Sequence, residues 1–399
     1  MTNDIRALAQ QIFMAGVAAA DPYAGVLRGI DGFDPALILS VGKAARRMAE
    51  AALGVTPSAD CIVVTNYENA APLQGAKVMS AGHPVPDDNG AAGAAAFMDA
   101  IKSTDGPVLV LVSGGGSALL PAPVEGVSLQ DKAEVSRLLL GSGADIHAMN
   151  LVRQQLSQLK GGGLARLCAG RPLRALILSD VVGDDLSTIA SGPTVAALGT
   201  RAEAQETLER YGLWDKVADS VRAHLSNSEQ KVGTVSADNI LIGSNAQSVA
   251  ALKDAAGPDC YVIDDPIEGD VADAARQICD AAGPGITVWG GETTVTLKGT
   301  GKGGRNQELS LLIAQEAARR GWTDWCCLQG GSDGRDGPTD AAGGIVDQDT
   351  LSRIAAARGD IDALLANNDS YEALKLAADL LITGGTGTNV ADLGVMIRR

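Results

Sequence analysis

Residues 107–117 read Pro-Val-Leu-Val-Leu-Val-Ser-Gly-Gly-Gly-Ser, and this stretch decides the fold. Five apolar residues in a row, without polar alternation, predict a short strand buried on both of its faces. The glycines end the strand and open a turn toward a helix. A fully buried strand of this kind belongs to a parallel sheet flanked by helices.

The same unit recurs on either side. Residues 36–41 (ALILSV) run into Gly42 and Lys43, with a helix expected from about Ala44. Residues 61–65 (CIVVT) and 175–178 (ALIL) are further strands, the latter ending in Ser179 and Asp180. Helical stretches at 129–140 and 145–160 lie between, followed by Gly161, Gly162 and Gly163. Apolar strands alternating with helices predict an α/β protein with a Rossmann-like, mostly parallel sheet and helices on both faces.

The stretch 225–239 is polar and poorly periodic, which places a boundary there: an N-terminal domain 1–236 and a C-terminal domain 237–399. Its 399 residues exceed what one ordinary core holds. The second domain reads as α/β with a mixed sheet. Strands are expected at 240–243 and 261–263, and a hairpin from 286–289 and 294–297 about Gly290 and Gly291. A helix follows over 306–320, then a strand at 325–328 and a last one at 380–383.

Aromatic residues make up only 3% of the chain, so its cores must be built from Ala, Val, Leu and Ile. A net charge of −16 argues against a nucleic-acid partner, which needs a basic face. None of the six cysteines forms a C-x-x-C pair, as expected of free thiols in a reducing compartment. The N-terminus reads as an amphipathic helix rather than a signal peptide, and no run of 18 apolar residues exists. These features predict a cytoplasmic enzyme that does not enter the membrane.

The chemistry should sit at the carboxyl ends of the strands, where open α/β sheets bind ligands. Ser113, Gly114, Gly115, Gly116 and Ser117 could turn backbone N–H groups and hydroxyls toward an anion. Lys43, just beyond a strand, is a cation where the helix dipole disfavours one unless an anion is near. Gly299, Gly301 and Gly304 satisfy G-x-G-x-x-G but follow the second arm of the expected hairpin, so the turn 299–306 reads as a second anion-binding loop. Asp180, Asp184 and Asp185 follow one strand; Asp333, Asp336 and Asp340 follow another. Carboxylates beside phosphate loops are what Mg²⁺ requires. His83, His147 and His224 lack zinc spacing; His224 is expected on a helix surface. Two anion turns, cations and carboxylates together point to phosphoryl transfer.

Nine motifs, in order and nearly end to end, resemble the class II glycerate kinases with their C-terminal MOFRL-type domain. They begin at Ser40–Lys43, Gly82–Asp87, Ser113–Ser117, Ser179–Asp184 and Ser191–Thr194. They continue at Gly290–Thr293, Lys302–Glu308, Gly331–Gly337 and Gly384–Asn389. The resemblance implies transfer of the ATP γ-phosphoryl group to D-glycerate, typically giving 2-phosphoglycerate, with Mg²⁺, in a cleft between two domains. It makes Lys43, Arg305 and Asp180 the catalytic candidates and Asp184 and Asp333 the metal candidates. Ser113 to Ser117, Asn150, Arg153, Lys160, Glu292, Gly304 and Asn306 become the substrate and phosphate ligands. A homodimer is compatible with it. Gln154 and Gln155 depart from the basic residue and histidine usual in the family, and Gly163 stands where an arginine is common. The rival reading is an NAD(P)-dependent hydroxypyruvate reductase, which would need a dinucleotide loop after the first strand, where only Gly42–Lys43 stands.

Overall fold

The computed structural model describes residues 2–227, 233 and 235–399; part of the polar stretch 225–239 therefore lies outside the described residues. By contacts the chain forms two compact units. The first comprises residues 22–179 and 184–242, the second residues 1–21, 180–183 and 243–399. The N-terminal helix Thr2–Ala19 thus packs with the C-terminal part of the chain, whereas the polar stretch had suggested a division at 236/237.

The first unit holds a six-stranded sheet. Its strands are β1 (Leu37–Val41), β2 (Asp60–Asn66), β3 (Lys77–Ala81), β4 (Val108–Val112), β5 (Leu173–Leu178) and β6 (Asp238–Gly243). Their order is β3-β2-β1-β4-β5-β6, with β1 to β5 parallel, the doubly wound arrangement expected from the buried strands. Every residue of β1 and of β4 is buried, which explains the unbroken apolar run of β4 and that of β1 up to Ser40, whose buried hydroxyl donates to Ala45 O. Register shows cover on both faces. Val64, Val41, Val112 and Ile177 lie side by side, so Leu176 points to the opposite face. Helix Pro22–Gly29 packs on Leu176 through Gly29, and helix Asp88–Ser103 packs on Val64 through Gly93.

The second unit is built on a mixed sheet. Its strands are β7 (Tyr261–Val262), β8 (Ile267–Asp270), β9 (Gly285–Thr294), β10 (Trp325–Gly331), β11 (Gly343–Asp347), β12 (Leu380–Leu381) and β13 (Asp392–Arg398). The order is β12-β11-β10-β13-β9-β7, with β8 also on β9; only the β7 and β8 pairings with β9 are parallel. Ile5, Ala9, Ile12 and Phe13 recur at helical spacing and meet Val288, Leu328 and Val395 on one face. Trp289, Cys327 and Met396 point the other way, into a core with helices Val271–Ala281 and Arg305–Arg319.

Two expectations are corrected here. The hairpin at 286–297 is one strand, β9, running through Gly290 and Gly291. Those glycines do not turn the chain; a Cβ on Gly291 would collide with the backbone of Ile267 in the adjoining β8. Nor is 380–383 the last strand. That is β13, central in the sheet, where Gly394 lies under the Trp289 indole and leaves no room for a Cβ.

Candidate active site

In the first unit the strand order reverses between β1 and β4, and the unusual residues lie at that point. The end of β1 is braced by the loop after β4. Lys43 N donates to Gly114 O at 2.9 Å, and Ala44 N to Ser113 Oγ at 3.1 Å. Ser113 is buried and committed to this brace. Gly115 takes the left-handed conformation, φ +83°, and leads into the short helix Gly116–Leu119. A side chain there would press on His83 and approach Lys43. Lys43, His83 and the glycine turn are therefore neighbours. Burial, and then the charge of Lys43, hold the His83 imidazole below its usual value. Among the described residues Lys43 forms no ion pair.

Two residues past Gly115 a second polar centre begins. Lys160 Nζ donates to Ser117 O and Ser117 Oγ, both at 2.8 Å, and lies 3.5 Å from Ser191 Oγ. Ser191 Oγ contacts Ser117 Oγ at 2.5 Å and donates to Asn150 Oδ1 at 2.9 Å. Asn150 Nδ2 is buried without a partner. Arg153, on the same helix Ile146–Gln155, uses only Nε, on Ser136 Oγ at 3.4 Å. Burial, followed by the charges of Lys132 and Arg153, pushes the Lys160 ammonium well below its usual value. Gln154 and Gln155 have structural work: Gln154 binds Ser187 O, Ser191 O and Leu198 N, while Gln155 binds Gly199 O. His224, read as a surface residue, is half-buried with Nε2 2.9 Å from Gln155 O.

Asp184 and Asp185 belong to this unit. Asp185 is spent on a turn, accepting from Ser187 N, Ser187 Oγ and Thr188 Oγ1. Asp184 has φ +56° and a buried Oδ1 without a hydrogen-bond partner.

The second unit gathers the rest. Arg305 opens helix Arg305–Arg319 with its guanidinium shared between two carboxylates. Nε and Nη2 donate to Asp392 at 2.6 and 3.0 Å, and Nη1 pairs with Glu292 at 3.0 Å. Asp392 is buried; Glu292 is markedly more exposed. Asn306 Nδ2 reaches Asp392 at 2.9 Å, and Gln329 Nε2 donates to Asn306 Oδ1 at 2.6 Å. Burial raises the carboxyls of Asp392 and Glu292, and Arg305 opposes it in both. The nearby charge of Asp180 adds to the rise at Glu292, and that of Asp333 at Asp392. Burial works against the Arg305 cation, but Asp392 and Glu292 outweigh it and raise its value.

The expected second anion loop is filled from within. Asp336 accepts from Asn306 N at 3.2 Å and Gln307 N at 2.8 Å, so the chain's own carboxylate occupies this helix N-terminus. Gly304 is small because Asp336 lies against it. Lys298 N, Gly299 N and Thr300 N donate to the side chains of Asn367 and Asn368, and Lys302 N to Asp369. The three glycines of the G-x-G-x-x-G match thus answer to packing, and the N–H groups of residues 299–302 and 306 are already matched within the unit. Asp340 binds Tyr371 Oη at 2.8 Å, and Asp333 Oδ1 accepts from Arg335 N at 3.0 Å. No single motif signalled Asp392 as the partner of Arg305 or Asp336 as the cap of its helix; both are distant from it in sequence.

Comparison with known proteins agrees with this picture. The profile of a family described as a domain of unknown function, DUF4147, matches residues 8–226, and that of the MOFRL family matches residues 285–392. A glycerate 2-kinase of Pyrococcus horikoshii is 39% identical, with 99% of this chain and 97% of that protein aligned. A protein of Agrobacterium vitis carrying a hydroxypyruvate reductase name is 38% identical over 99% of this chain and 95% of its own. The crystal structure of a glycerate kinase from Thermotoga maritima superposes with a TM-score of 0.92, at 37% identity, over 100% of both chains.

Proposed function

The chain belongs to the glycerate 2-kinase family, and from that premise we infer that it transfers the γ-phosphoryl group of ATP to the 2-hydroxyl of D-glycerate, releasing 2-phosphoglycerate and ADP. The observation that carries the reading is Lys43, which forms no ion pair among the described residues, at the reversal point of the parallel sheet beside a left-handed glycine turn. A cation in that setting is arranged for an anionic ligand, and phosphoryl transfer relies on positioning and charge neutralisation.

Lys43 supplies an ammonium beside the Gly115 turn, and Arg305 supplies a guanidinium held in orientation by Asp392, which Asn306 in turn bonds. Positive charge of this kind neutralises the oxygens of a transferring phosphoryl group. The acceptor hydroxyl must lose a proton to a nearby base. We assign that role to Asp180, whose charge already acts on Glu292 in the same unit. Asn150, Arg153 and Lys160 bind the acceptor. Gly304 and Asn306 serve Arg305, since their contacts go to Asp336, Asp392 and Gln329.

Kinases of this kind work with Mg²⁺, and the residues fit it. Asp184 has a carboxylate oxygen without a protein partner, and Asp333 has one oxygen beyond the bond from Arg335. Mg²⁺ needs only one or two such groups besides phosphate oxygens, whose charge it neutralises. Among the described residues no three His, Cys, Asp or Glu side chains converge as a metal cage.

No helix among the described residues is long and apolar enough to cross a membrane. All six cysteines are free and buried, which supports a reducing, cytoplasmic setting. The test is direct: purified protein with ATP, Mg²⁺ and D-glycerate should release ADP, and phosphorus NMR should show the 2-phospho isomer. NADH oxidation on hydroxypyruvate without ADP release would replace the reading with a reductase.

A further inference from the structure

Resting on that reading, we propose that the carboxylate of the acceptor docks in the first unit against Arg153, Lys160 and Asn150, with Lys132, which no motif flags, as a second buried cation of the subsite.

The charge balance is the reason. Lys132, Arg153 and Lys160 lie close enough for their charges to act on one another, and none forms an ion pair among the described residues. Lys132 is 7% exposed and Lys160 4%. Their contacts are neutral: Lys132 Nζ donates to Leu156 O at 3.2 Å, and Lys160 Nζ to Ser117. Burial of one unpaired ammonium is costly, and mutual repulsion among three cations adds to it. Burial, with Arg153 adding to it, brings the Lys132 amine down to about 7. A buried anion would relieve all three groups together.

The second observation is independent of charge. Asn150 is 2% exposed, and its Nδ2 has no partner although Oδ1 is bonded to Ser191. An unmatched buried amide donor needs an acceptor. The Arg153 guanidinium likewise keeps its Nη groups unbonded among the described residues, a fork suited to a carboxylate. Position completes the assignment. Ser117, which binds Lys160, is three residues from Gly114, whose carbonyl accepts from Lys43 N. Three residues span at most about 11 Å, and less in a turn, which is within reach of a three-carbon hydroxy acid held by side chains from both ends. One end of the acceptor then meets Lys160 while its hydroxyl faces the phosphoryl centre.

The experiment uses full-length protein and reads thermal midpoints and Kd values for D-glycerate, glycerol and ATP separately. Asn150→Asp places a carboxylate among the cations. It should raise the midpoint of the ligand-free protein and weaken D-glycerate binding by roughly 10–100-fold, the effect of losing a charge-assisted contact. ATP affinity should not change. Lys132→Met should do the same in weaker form, whereas a purely structural lysine would lower the midpoint and leave D-glycerate affinity intact. Wild-type protein should prefer D-glycerate to glycerol, which lacks the carboxylate. Unchanged D-glycerate affinity in Asn150→Asp, or a loss of ATP affinity instead, overturns the subsite while wild-type turnover of D-glycerate stands. A wild type that neither binds D-glycerate nor releases ADP removes the kinase reading and the subsite with it.

Discussion

Two carboxylate clusters sit at opposite ends of β10, and they are not equivalent. Asp347, opposite Cys326, lies at one end; Asp392, opposite Gly331, lies at the other. Asp347 and Asp379 share two arginines, Arg6 and Arg353, with Thr350 Oγ1 donating to Asp379 at 2.7 Å. Charge is balanced there, two against two. At the other end Asp392, Glu292 and Asp336 act on one cation, Arg305. A balanced buried network ties structure together, here the N-terminal helix to the far strands. An unbalanced one is held in deficit for something else to complete. The Lys132–Arg153–Lys160 group of the first unit has the opposite imbalance.

The largest expected effect lies at the balanced end. Asp379→Ala leaves Arg353 and Arg6 short of a buried partner and should cost about 3–5 kcal/mol of stability. Urea unfolding measures this. The kcat of the protein that remains folded should be unaltered. A fall in kcat at constant folded fraction would mean that the two ends are not functionally separate.

At the unbalanced end the ranking reverses. Arg305→Ala should lower kcat by roughly 10²–10³, as for loss of one donor to a charge developing in the transition state. Arg305→Lys sharpens the contrast: it keeps a charge against Asp392 and recovers stability, but it cannot reproduce the fork and should not recover kcat. Lys43→Ala should resemble Arg305→Ala in kcat with little change in unfolding. A loss confined to KM would make either cation a uniform binder.

Much of the first unit is legible in the sequence because β1, β4 and β5 are buried on both faces and announce themselves as apolar runs. The second sheet is harder. β13 carries a glycine at its centre for the sake of Trp289, and β9 runs through two glycines that imitate a turn. Close packing, unlike periodicity, depends on a partner far along the chain. The same holds for the site. Lys43 and the glycine loop stand out locally, but the Asp336 cap on the helix of Arg305 and the cation Lys132 become visible only once distant elements meet. That is also why the turn 299–306 reads as an open anion loop in the sequence: the N–H groups of 299–302 and 306 are matched by residues 336 and 367–369 far along the chain.

The smallest effect concerns the Asp336 cap and separates charge from geometry. Burial raises this carboxyl to about 6, with N–H donation from Gln307 and Asn306 opposing the rise. A carboxyl raised on folding holds its proton more tightly in the native state, so the folded protein binds more protons than the unfolded chain between the two values. Stability from this group is therefore present below about pH 4 and falls as pH rises toward 6, by about 2–3 kcal/mol. Asp336→Asn keeps one carbonyl oxygen in place of the two that accept from Asn306 N and Gln307 N, which lowers stability by a pH-independent amount. It cannot ionise, so unfolding free energies measured from pH 4 to 6.5 should lose this downward component. Asp347 offers the internal contrast: its arginine and backbone partners outweigh burial and hold its carboxyl below the usual range, so its stabilisation is lost on acidification instead. If Asp336→Asn leaves the pH profile unchanged, the cap stays ionised through the window and its N–H donors, not burial, set its proton affinity.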